Sequence, residues 1–211
     1  MTNSGATAPS VSIVEGRPSR YAQLQVLIAL FKPRTIVEIG TNRGDSAVAM
    51  CHEALKHRPE VHYRGYDVFD TKDHAFHQAA FNGKGAFSRA EVHDRLASLQ
   101  RHAASFSFEL VEGDTNSTLH REAIRADFVF IDGDHRSDAI AKDYAAVADS
   151  EVVVFDDFYD PHSDVGSQLI GKIGCNRVVG ELERVTILPL ADEFPATGPI
   201  RMAVTTRNGP P

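Results

Sequence analysis

Two acidic segments contain the side chains of this chain that are best suited to chemistry. The first runs from Asp132 to His135, and the second is the adjacent pair Asp156-Asp157. Each directly follows an apolar run, Phe128–Ile131 or Val152–Phe155, and such runs are typical of buried strands in a parallel sheet. Open α/β sheets place their sites at the carboxyl ends of their strands. We therefore expect both segments to lie at the edge of a sheet where ligands bind.

The ionisable groups of these segments predict a metal site. Carboxylates brought together at the ends of adjacent buried strands would cost several kcal/mol in repulsion and desolvation if they had no partner. A hard divalent cation would offset that cost, and ligand sets made only of oxygen favour Mg²⁺, Mn²⁺ or Ca²⁺ over zinc. The hypothesis is that Asp132, Asp156 and Asp157 ligate one cation, with Mg²⁺ as the expected ion. The alternative is that these acids cap helices or form surface pairs.

A glycine-containing segment, Glu38 to Gly44, follows an earlier apolar run. It precedes a helical pattern over Asp45–Leu55, so the region is typical of a strand, a tight turn and a helix start. Gly40 and Gly44 suit a backbone that takes unusual φ values or passes close to a ligand. The dinucleotide-binding pattern G-x-G-x-x-G is not matched, because Thr41-Asn42 does not supply the second glycine.

Two further acids follow predicted strands. Asp67 ends the second strand, where a carboxylate could accept hydrogen bonds from both hydroxyls of a ribose. It could also cap a turn or a helix, which is a common role for aspartate after a strand. The third strand is followed by Gly113-Asp114-Thr115, and Asp114 could cap a helix that starts near Asn116 or Ser117.

Apolar runs of strand length alternate with helical patterns along most of the chain. The predicted strands are Thr35–Ile39, His62–Val68, Phe106–Glu112, Phe128–Asp132, Val152–Phe155, Arg177–Val179, Thr186–Pro189 and Ile200–Thr205. This alternation predicts a Rossmann-like, doubly wound α/β fold with a mostly parallel sheet that is covered on both faces. A helix is expected from Arg17 to Phe31, where apolar residues recur at helical spacing. Strands without a helix between them near the end predict a C-terminal antiparallel hairpin.

The expected organisation is a single domain over residues 17–206, with a disordered lead-in over 1–16 and a loose tail over 207–211. Within it, residues 70–87 form a long segment with no regular pattern. This segment is rich in histidines and aromatic residues, namely His74, Phe76, His77, Phe81 and Phe87. Long loops beside a site are often functional, so we predict a substrate lid, with a surface insertion as the alternative.

Composition limits the class of protein. At 211 residues the chain can build one α/β core without staples. Its formal net charge of −7 argues against a nucleic-acid-binding surface, and its N-terminus lacks the pattern of a signal peptide or membrane span. Cys51 and Cys175 have no metal-ligand spacing, which predicts buried free thiols in a reducing cytoplasm. We expect a cytoplasmic protein with a small-molecule partner and no nucleic-acid or membrane partner. A homo-oligomer stays possible.

The acid-x-Gly-x-x-x-Gly loop at Glu38 to Gly44 resembles the first motif of the class I S-adenosylmethionine-dependent methyltransferases. This resemblance implies a seven-stranded sheet with a C-terminal antiparallel hairpin. It also implies that the loop holds the amino-acid end of the cosubstrate, that Asp67 binds the ribose, and that the segment Gly113-Asp114-Thr115 lies against the adenine. The implied loop contacts are Glu38, Gly40, Thr41, Asn42 and Gly44.

The acidic segments resemble those of the metal-dependent O-methyltransferases of the catechol, caffeoyl-CoA and antibiotic-sugar type. The ending Ile-Asp-Gly-Asp-His at 131–135 is similar to that of macrocin- and novobiocin-type sugar methyltransferases, and the resemblance covers about Pro18 to Val204. It implies Asp132, Asp156 and Asp157 as metal ligands, with Asp132 also beside the cosubstrate.

The catalytic base stays open between two residues. Asp134 is favoured by resemblance to the sugar-modifying branch. His135 occupies the place of the catechol branch's lysine, and imidazole titrates near neutrality.

The expected activity is in-line transfer of a methyl group from S-adenosylmethionine to a hydroxyl of a small acceptor, a sugar or a phenol. The cation would lower the pKa of that hydroxyl and fix its oxygen in line with the methyl–sulfur bond. Three alternatives stay open: a metal-dependent hydrolase on a related sheet, a metal-independent N- or C-methyltransferase, and a non-catalytic cosubstrate-binding module.

Overall fold

The computed structural model describes residues 19–72, 75–77, 85–119, 123–163 and 166–208. The predicted lead-in and the last three residues of the predicted tail lie outside the described residues. So do His74 and Phe81 of the predicted lid.

An eight-stranded sheet forms the centre of the described chain. Its strands are β1 (Thr35–Ile39), β2 (Val61–Asp67), β3 (Phe106–Glu112), β4 (Phe128–Ile131), β5 (Val152–Tyr159), β6 (Thr186–Ile187), β7 (Asp192–Phe194) and β8 (Gly198–Thr206). The order is β3-β2-β1-β4-β5-β8-β6, with β7 also paired to β8. The first five strands are mutually parallel, whereas β8 runs antiparallel to β5, β6 and β7. The predicted fold class is confirmed. The expected count of seven strands is one short of the eight observed, which include the short strand β7.

Helices with fully described bounds lie before, between and after the five parallel strands. They are α1 (Ala22–Phe31), α2 (Asp45–Leu55), α3 (Arg89–His102), α4 (Thr115–Thr118), α5 (Ser137–Val147), α6 (Gly166–Leu169) and α7 (Asn176–Gly180), and a 3₁₀ turn, Ser19–Tyr21, precedes α1. The helix expected from Arg17 to Phe31 is thus divided into a 3₁₀ turn and α1. It ends at Lys32, whose left-handed backbone (φ 50°) donates its N–H to the carbonyl of Ile28.

The sheet is buried on both faces because its strands alternate between two apolar clusters. Phe128 and Phe130 of β4 pack in one cluster, while Val129 and Ile131 pack in the other. This is the period of two that a strand imposes on its side chains. Cys51 lies in the first cluster and Cys175 in the second, both as buried free thiols, as predicted.

The prediction of a strand at Arg177–Val179 is wrong, because these residues belong to helix α7. The two valines are buried, so their apolar side chains satisfy the core equally well from a helix. Asn176 fixes this helix beside β5: its side chain accepts the N–H of Tyr159 at 3.0 Å and donates to that residue's carbonyl at 2.8 Å. Tertiary contacts therefore override the local preference for strand.

The helices of the described residues include none that is long and apolar enough to cross a bilayer.

Candidate functional site

The glycine loop after β1 lies against the end of β4. Gly40 has φ +89°, and a Cβ at this position would lie 2.1 Å from the backbone oxygen of Asp132. The backbone of Asp132 donates to the carbonyl of Ile39 at 2.8 Å, and Gly40 donates to that of Tyr66 at 2.8 Å. Glycine is required here because two backbones touch. The same contact brings the glycine loop and the first acidic segment together.

A cavity of about 380 Å³ opens at the carboxyl ends of the parallel strands. Its lining includes the predicted cosubstrate residues Gly40, Thr41, Asn42, Asp67 and Asp132, and also His135. Arg20, Tyr21, Phe69 and Phe194 contribute further walls. The loop, the second strand end and the first acidic segment therefore meet around one space, as the sequence predicts.

Several predicted site residues lie outside this lining. They are Glu38, Gly44, Gly113, Asp114, Thr115, Asp134, Asp156 and Asp157. The acids among them have other contacts, which are described below.

Glu38 is a buried acid of β1, just before the glycine loop. It is 1% exposed, and Tyr63 of β2 donates its hydroxyl to the Glu38 carboxylate at 2.5 Å. Burial and the neighbouring charge of Glu38 raise the pKa of Tyr63 well above its usual value, so the phenol keeps its proton. Contact of Glu38 with the cosubstrate stays a prediction.

Asp67 connects the second strand to the glycine loop. One carboxylate oxygen accepts the backbone N–H of Asn42 at 2.7 Å, and the other accepts that of Phe69 at 2.6 Å. Burial raises the pKa of Asp67, while these backbone N–H groups and nearby His77 act in the opposite direction. The carboxylate is thus fixed in orientation at the cavity wall.

Asp114 is the N-cap of α4, accepting the backbone N–H of Asn116 at 2.9 Å. Partial burial acts to raise its pKa, but the hydrogen bonds from Asn116 outweigh burial and the pKa of Asp114 is lowered. The predicted capping role is confirmed. Contact with an adenine stays a prediction.

A bulge in β5 brings Asp156 and Asp157 towards the same end of the sheet. Adjacent residues of a regular strand point to opposite faces. Here the pairing of β5 with β8 shifts between Phe155 and Phe158, and Asp157 has a left-handed backbone with φ +58°. Bulges of this kind redirect side chains beside sites. As a result, both carboxylates approach the same guanidinium group.

That guanidinium belongs to Arg20 in the 3₁₀ turn before α1. Its Nε and Nη2 donate to the two oxygens of Asp156 at 2.7 and 2.8 Å, and its Nη2 lies 3.6 Å from Asp157. Arg20 is 4% exposed and Asp156 is 2% exposed. Burial acts to lower the pKa of Arg20, but Asp156 outweighs it and raises that pKa above the usual value, so Arg20 is a permanent cation.

Tyr21 completes this cluster. Its hydroxyl lies within hydrogen-bonding distance of Asp132 and, at 2.6 Å, of Asp156, and it can donate its proton to either carboxylate. Burial and the two carboxylates raise the pKa of Tyr21 well above its usual value. Neither residue of the turn was predicted from the sequence to belong to the site. Tyr21 matches the apolar face of a helix, and Arg20 lies 136 positions from Asp156, so no local pattern connects them. An excess of acids at two strand ends was the one available signal that a basic partner exists.

The donor set at the cavity is compatible with a divalent cation, but it differs from the predicted one. Ligand atoms of Asp132, His135 and Asp157 lie within 4.8 Å of one another, and Nδ1 of His135 contacts a carboxylate oxygen of Asp157. Carboxylates of this kind suit Mg²⁺ or Mn²⁺. Asp156, the remaining predicted ligand, is paired with Arg20.

The two predicted bases occupy different surroundings. His135 is 7% exposed and belongs to the cluster with Asp132 and Asp157. Asp134 turns away and accepts hydrogen bonds from the backbone N–H and the guanidinium of Arg136, the latter at 2.9 Å from Nε. Of the two, only His135 lines the cavity.

The described parts of the predicted lid contribute to the cavity wall. His77, 7% exposed, and Phe87 both line it, together with Gly85 and Ala86. Phe87 lies 5.3 Å from the guanidinium carbon of Arg43 in the glycine loop, within the range of a cation–π contact. Movement of this segment over a substrate stays a prediction.

Comparison with known proteins identifies the kind of domain. A protein-family model described as "Methyltransferase domain" matches residues 37–158. No curated protein matches the chain.

Solved structures share the fold at low sequence identity. TomG, an O-methyltransferase from Streptomyces achromogenes in complex with SAM, is 18% identical with a TM-score of 0.56, over 94% of this chain and 82% of TomG. An O-methyltransferase from Bacillus cereus in complex with SAH is 15% identical with a TM-score of 0.58, over 94% and 84% of the two chains. Cofactor-bound Rv0187 from MTB is 19% identical with a TM-score of 0.58, over 95% and 84%.

Proposed function

Because the chain belongs to the methyltransferase domain family, we propose that it transfers a methyl group from S-adenosylmethionine to a hydroxyl oxygen of a small acceptor. A sugar or a phenol of a natural product is the proposed acceptor class. The observation that carries this proposal is the position of one cavity between the glycine loop with Asp67 on one side and Asp132 with His135 on the other.

The cosubstrate would occupy the glycine-loop side of the cavity. Asp67 would accept hydrogen bonds from its ribose hydroxyls, and the loop at Gly40 to Asn42 would contact its amino-acid end. In this orientation the methyl group faces Asp132 and His135. TomG and the Bacillus cereus enzyme, which share the fold, are described in complex with SAM and SAH.

Asp132 and Asp157 would hold a divalent cation, since Mg²⁺ in proteins is commonly bound through one or two carboxylates together with the substrate. Such a cation lowers the pKa of a hydroxyl and fixes its oxygen for attack. In this arrangement His135, which belongs to the same cluster, would act as the base.

His135 is the proposed proton acceptor. Its contact with Asp157 through Nδ1 orients the ring, and Nε2 would receive the proton of the acceptor hydroxyl. As the oxygen–methyl bond forms, the methyl–sulfur bond breaks and its electron pair stays on sulfur, which gives S-adenosylhomocysteine. Asp134 is held by Arg136 away from the cavity and has no part in this step.

The test is methyl transfer from methyl-labelled S-adenosylmethionine to a panel of phenols and sugars in the presence of Mg²⁺. With any acceptor found, we expect His135→Gln to lower kcat by about 10²- to 10⁴-fold, the usual range for loss of a general base. Asp134→Asn is the matched control and should keep most of the activity. The opposite ranking would assign the base to Asp134. Wild-type protein that binds no S-adenosylhomocysteine in calorimetry would instead favour a hydrolase.

A metal-independent O-methyltransferase is the second candidate. The observation that favours it is that Arg20 already supplies a buried positive charge beside Asp156 and Asp157. Activity that survives exhaustive treatment with EDTA would support this candidate, and activity that is lost with EDTA and restored by Mg²⁺ would support the first.

A further inference from the structure

The carboxylate of Asp156 is bound by Arg20. The two guanidinium nitrogens face the two oxygens at 2.7 and 2.8 Å, in the bidentate geometry that binds carboxylates most strongly. A divalent cation would need the same oxygen lone pairs. Because both partners are buried, solvent cannot replace the arginine if a cation displaces it.

The turn that carries Arg20 is anchored at its other side. Asp192 of β7 accepts the backbone N–H of Ser19 at 2.7 Å and that of Arg20 at 3.1 Å, and it accepts Nη1 of Arg20 at 3.1 Å. Arg20 is thus fixed between the C-terminal strands and β5. This anchoring keeps the guanidinium in place against Asp156.

Tyr21 connects the same turn to the cavity. Its hydroxyl contacts Asp156, which Arg20 fixes, and Asp132, which lines the cavity. A hydrogen bond to a metal-binding carboxylate orients it, and the loss of such a bond commonly weakens metal binding.

We propose that the turn Ser19–Tyr21 is part of the active site: Arg20 binds Asp156 in place of a divalent cation, and Tyr21 positions Asp132 as a cation ligand. Asp156 is then an internal counter-ion and not a ligand. This inference rests on the proposed function, because it concerns the cation of that reaction.

Mn²⁺ binding to the full-length protein tests the proposal directly. Bound and free Mn²⁺ are distinguished by electron paramagnetic resonance, and Mn²⁺ accepts the same carboxylate ligands as Mg²⁺. We expect Asp157→Asn to raise the Kd for Mn²⁺ at least about tenfold and Tyr21→Phe to raise it by about 10- to 100-fold. Asp156→Asn, the isosteric neighbour, keeps an oxygen as an acceptor for Tyr21 and removes no ligand in this proposal, so it should raise that Kd clearly less than Asp157→Asn does.

Binding of S-adenosylhomocysteine by each variant, measured by calorimetry, serves as the control for folding. If Asp156→Asn weakens Mn²⁺ binding as much as Asp157→Asn does, Asp156 is a ligand and the proposal is wrong. Wild-type protein that binds no Mn²⁺ overturns it as well. Neither result affects the proposed methyl transfer, which fails separately if S-adenosylhomocysteine does not bind to the wild-type protein.

Discussion

Arg20 is a buried cation that contacts several carboxylates beside the cavity. It contacts the carboxylates of Asp156, Asp157 and Asp192, all from a position that is 4% exposed. A guanidinium is more weakly hydrated than an ammonium and offers several donors in a fixed plane. It can therefore satisfy several acids at once inside the protein.

Removal of Arg20 should be strongly destabilising. Arg20→Met leaves buried carboxylates without their cation, and the loss of one partner of a buried ion pair typically costs about 3–5 kcal/mol of the free energy of unfolding. Urea denaturation measures this change. Arg125→Met is the control, because Arg125 forms a more exposed pair with Glu151 at 3.0 Å and should change stability by less than about 0.5 kcal/mol. Equal losses for both variants would contradict a special role of Arg20.

Asp143 is a buried acid outside the cavity lining. It lies on α5 and is 1% exposed. Burial raises its pKa to about 7, and the charges of Asp134 and Asp114 contribute, while the neighbouring Thr115 acts in the opposite direction. The folded protein thus keeps a proton on Asp143 up to about pH 7, whereas the unfolded chain releases it from its ordinary pKa of 3.8.

The proton on Asp143 makes the stability of the folded protein depend on pH. Between the two pKa values the folded state binds more protons, so the contribution of Asp143 to stability falls as pH rises from about 4 to about 7. Asp143→Asn removes this loss. We expect its free energy of unfolding, relative to wild type, to rise by about 1–3 kcal/mol between pH 5 and pH 8 in urea titrations. Asp138→Asn, an exposed change on the same helix, should show no such trend. A flat difference for Asp143→Asn would mean that the acid is ionised in the folded protein.

Among the elements, the turn between β1 and α2 depends most on residue type. Gly40 combines a positive φ with backbone contact to the end of β4. The turn therefore sets the distance between the glycine loop and the first acidic segment. The bulge in β5 has a comparable role for Asp156 and Asp157, but it arises without any glycine.

Gly40→Ala should damage both the fold and the site. A Cβ at 2.1 Å from the Asp132 oxygen, on a backbone at φ +89°, forces the two loops apart. We expect a loss of at least about 2 kcal/mol in the free energy of unfolding and a clear loss of affinity for S-adenosylhomocysteine. Gly180→Ala in α7 is the control, since its Cβ would meet nothing within 4 Å, and it should change stability by less than about 1 kcal/mol. Comparable damage from both changes would show that close backbone contact is not the cause. Thermal unfolding and calorimetry supply the two measurements.

At the scale of the whole molecule, the site is assembled from distant parts of the chain. The cavity and the ionic contacts of Arg20 combine residues of the 3₁₀ turn and of β7 with residues at the ends of β1, β2, β4 and β5. Contact between Ser19 and Asp192 brings together positions 173 residues apart. Ligand binding to such a site should stabilise the entire domain.

S-adenosylhomocysteine should raise the midpoint of thermal unfolding in a concentration-dependent manner. A ligand at 100 times its Kd contributes about 2.7 kcal/mol to stability. Asp67→Asn should raise the Kd by about 10- to 100-fold, because a hydrogen-bonded charge at the ribose is lost. Asp70→Asn, an exposed neighbour on the same segment, should keep the wild-type shift. An unchanged shift in Asp67→Asn would remove Asp67 from the binding site.

The class of the sheet and most of the cavity edge could be predicted from the sequence. Continuous apolar runs such as Phe128–Ile131 specify strands buried on both faces, and acids or glycines directly after them must lie at the carboxyl edge. Gly40, Asp67, Asp132 and His135 could be placed at the site on that basis. The Arg177–Val179 segment could not, because short apolar runs satisfy the core as a helix or as a strand.

The partners of the acids depend on tertiary contacts that the sequence does not reveal. The bulge that directs Asp156 and Asp157 towards one group depends on pairing with β8, which lies about 45 positions along the chain from them. The pairing of Asp156 with Arg20 depends on the first turn of the described chain docking against β5 and β7. Charge pairing over such separations leaves no periodicity in the sequence. Its only trace in the sequence is an excess of acids, which require positive charge nearby. In the folded protein, Arg20 supplies such a charge.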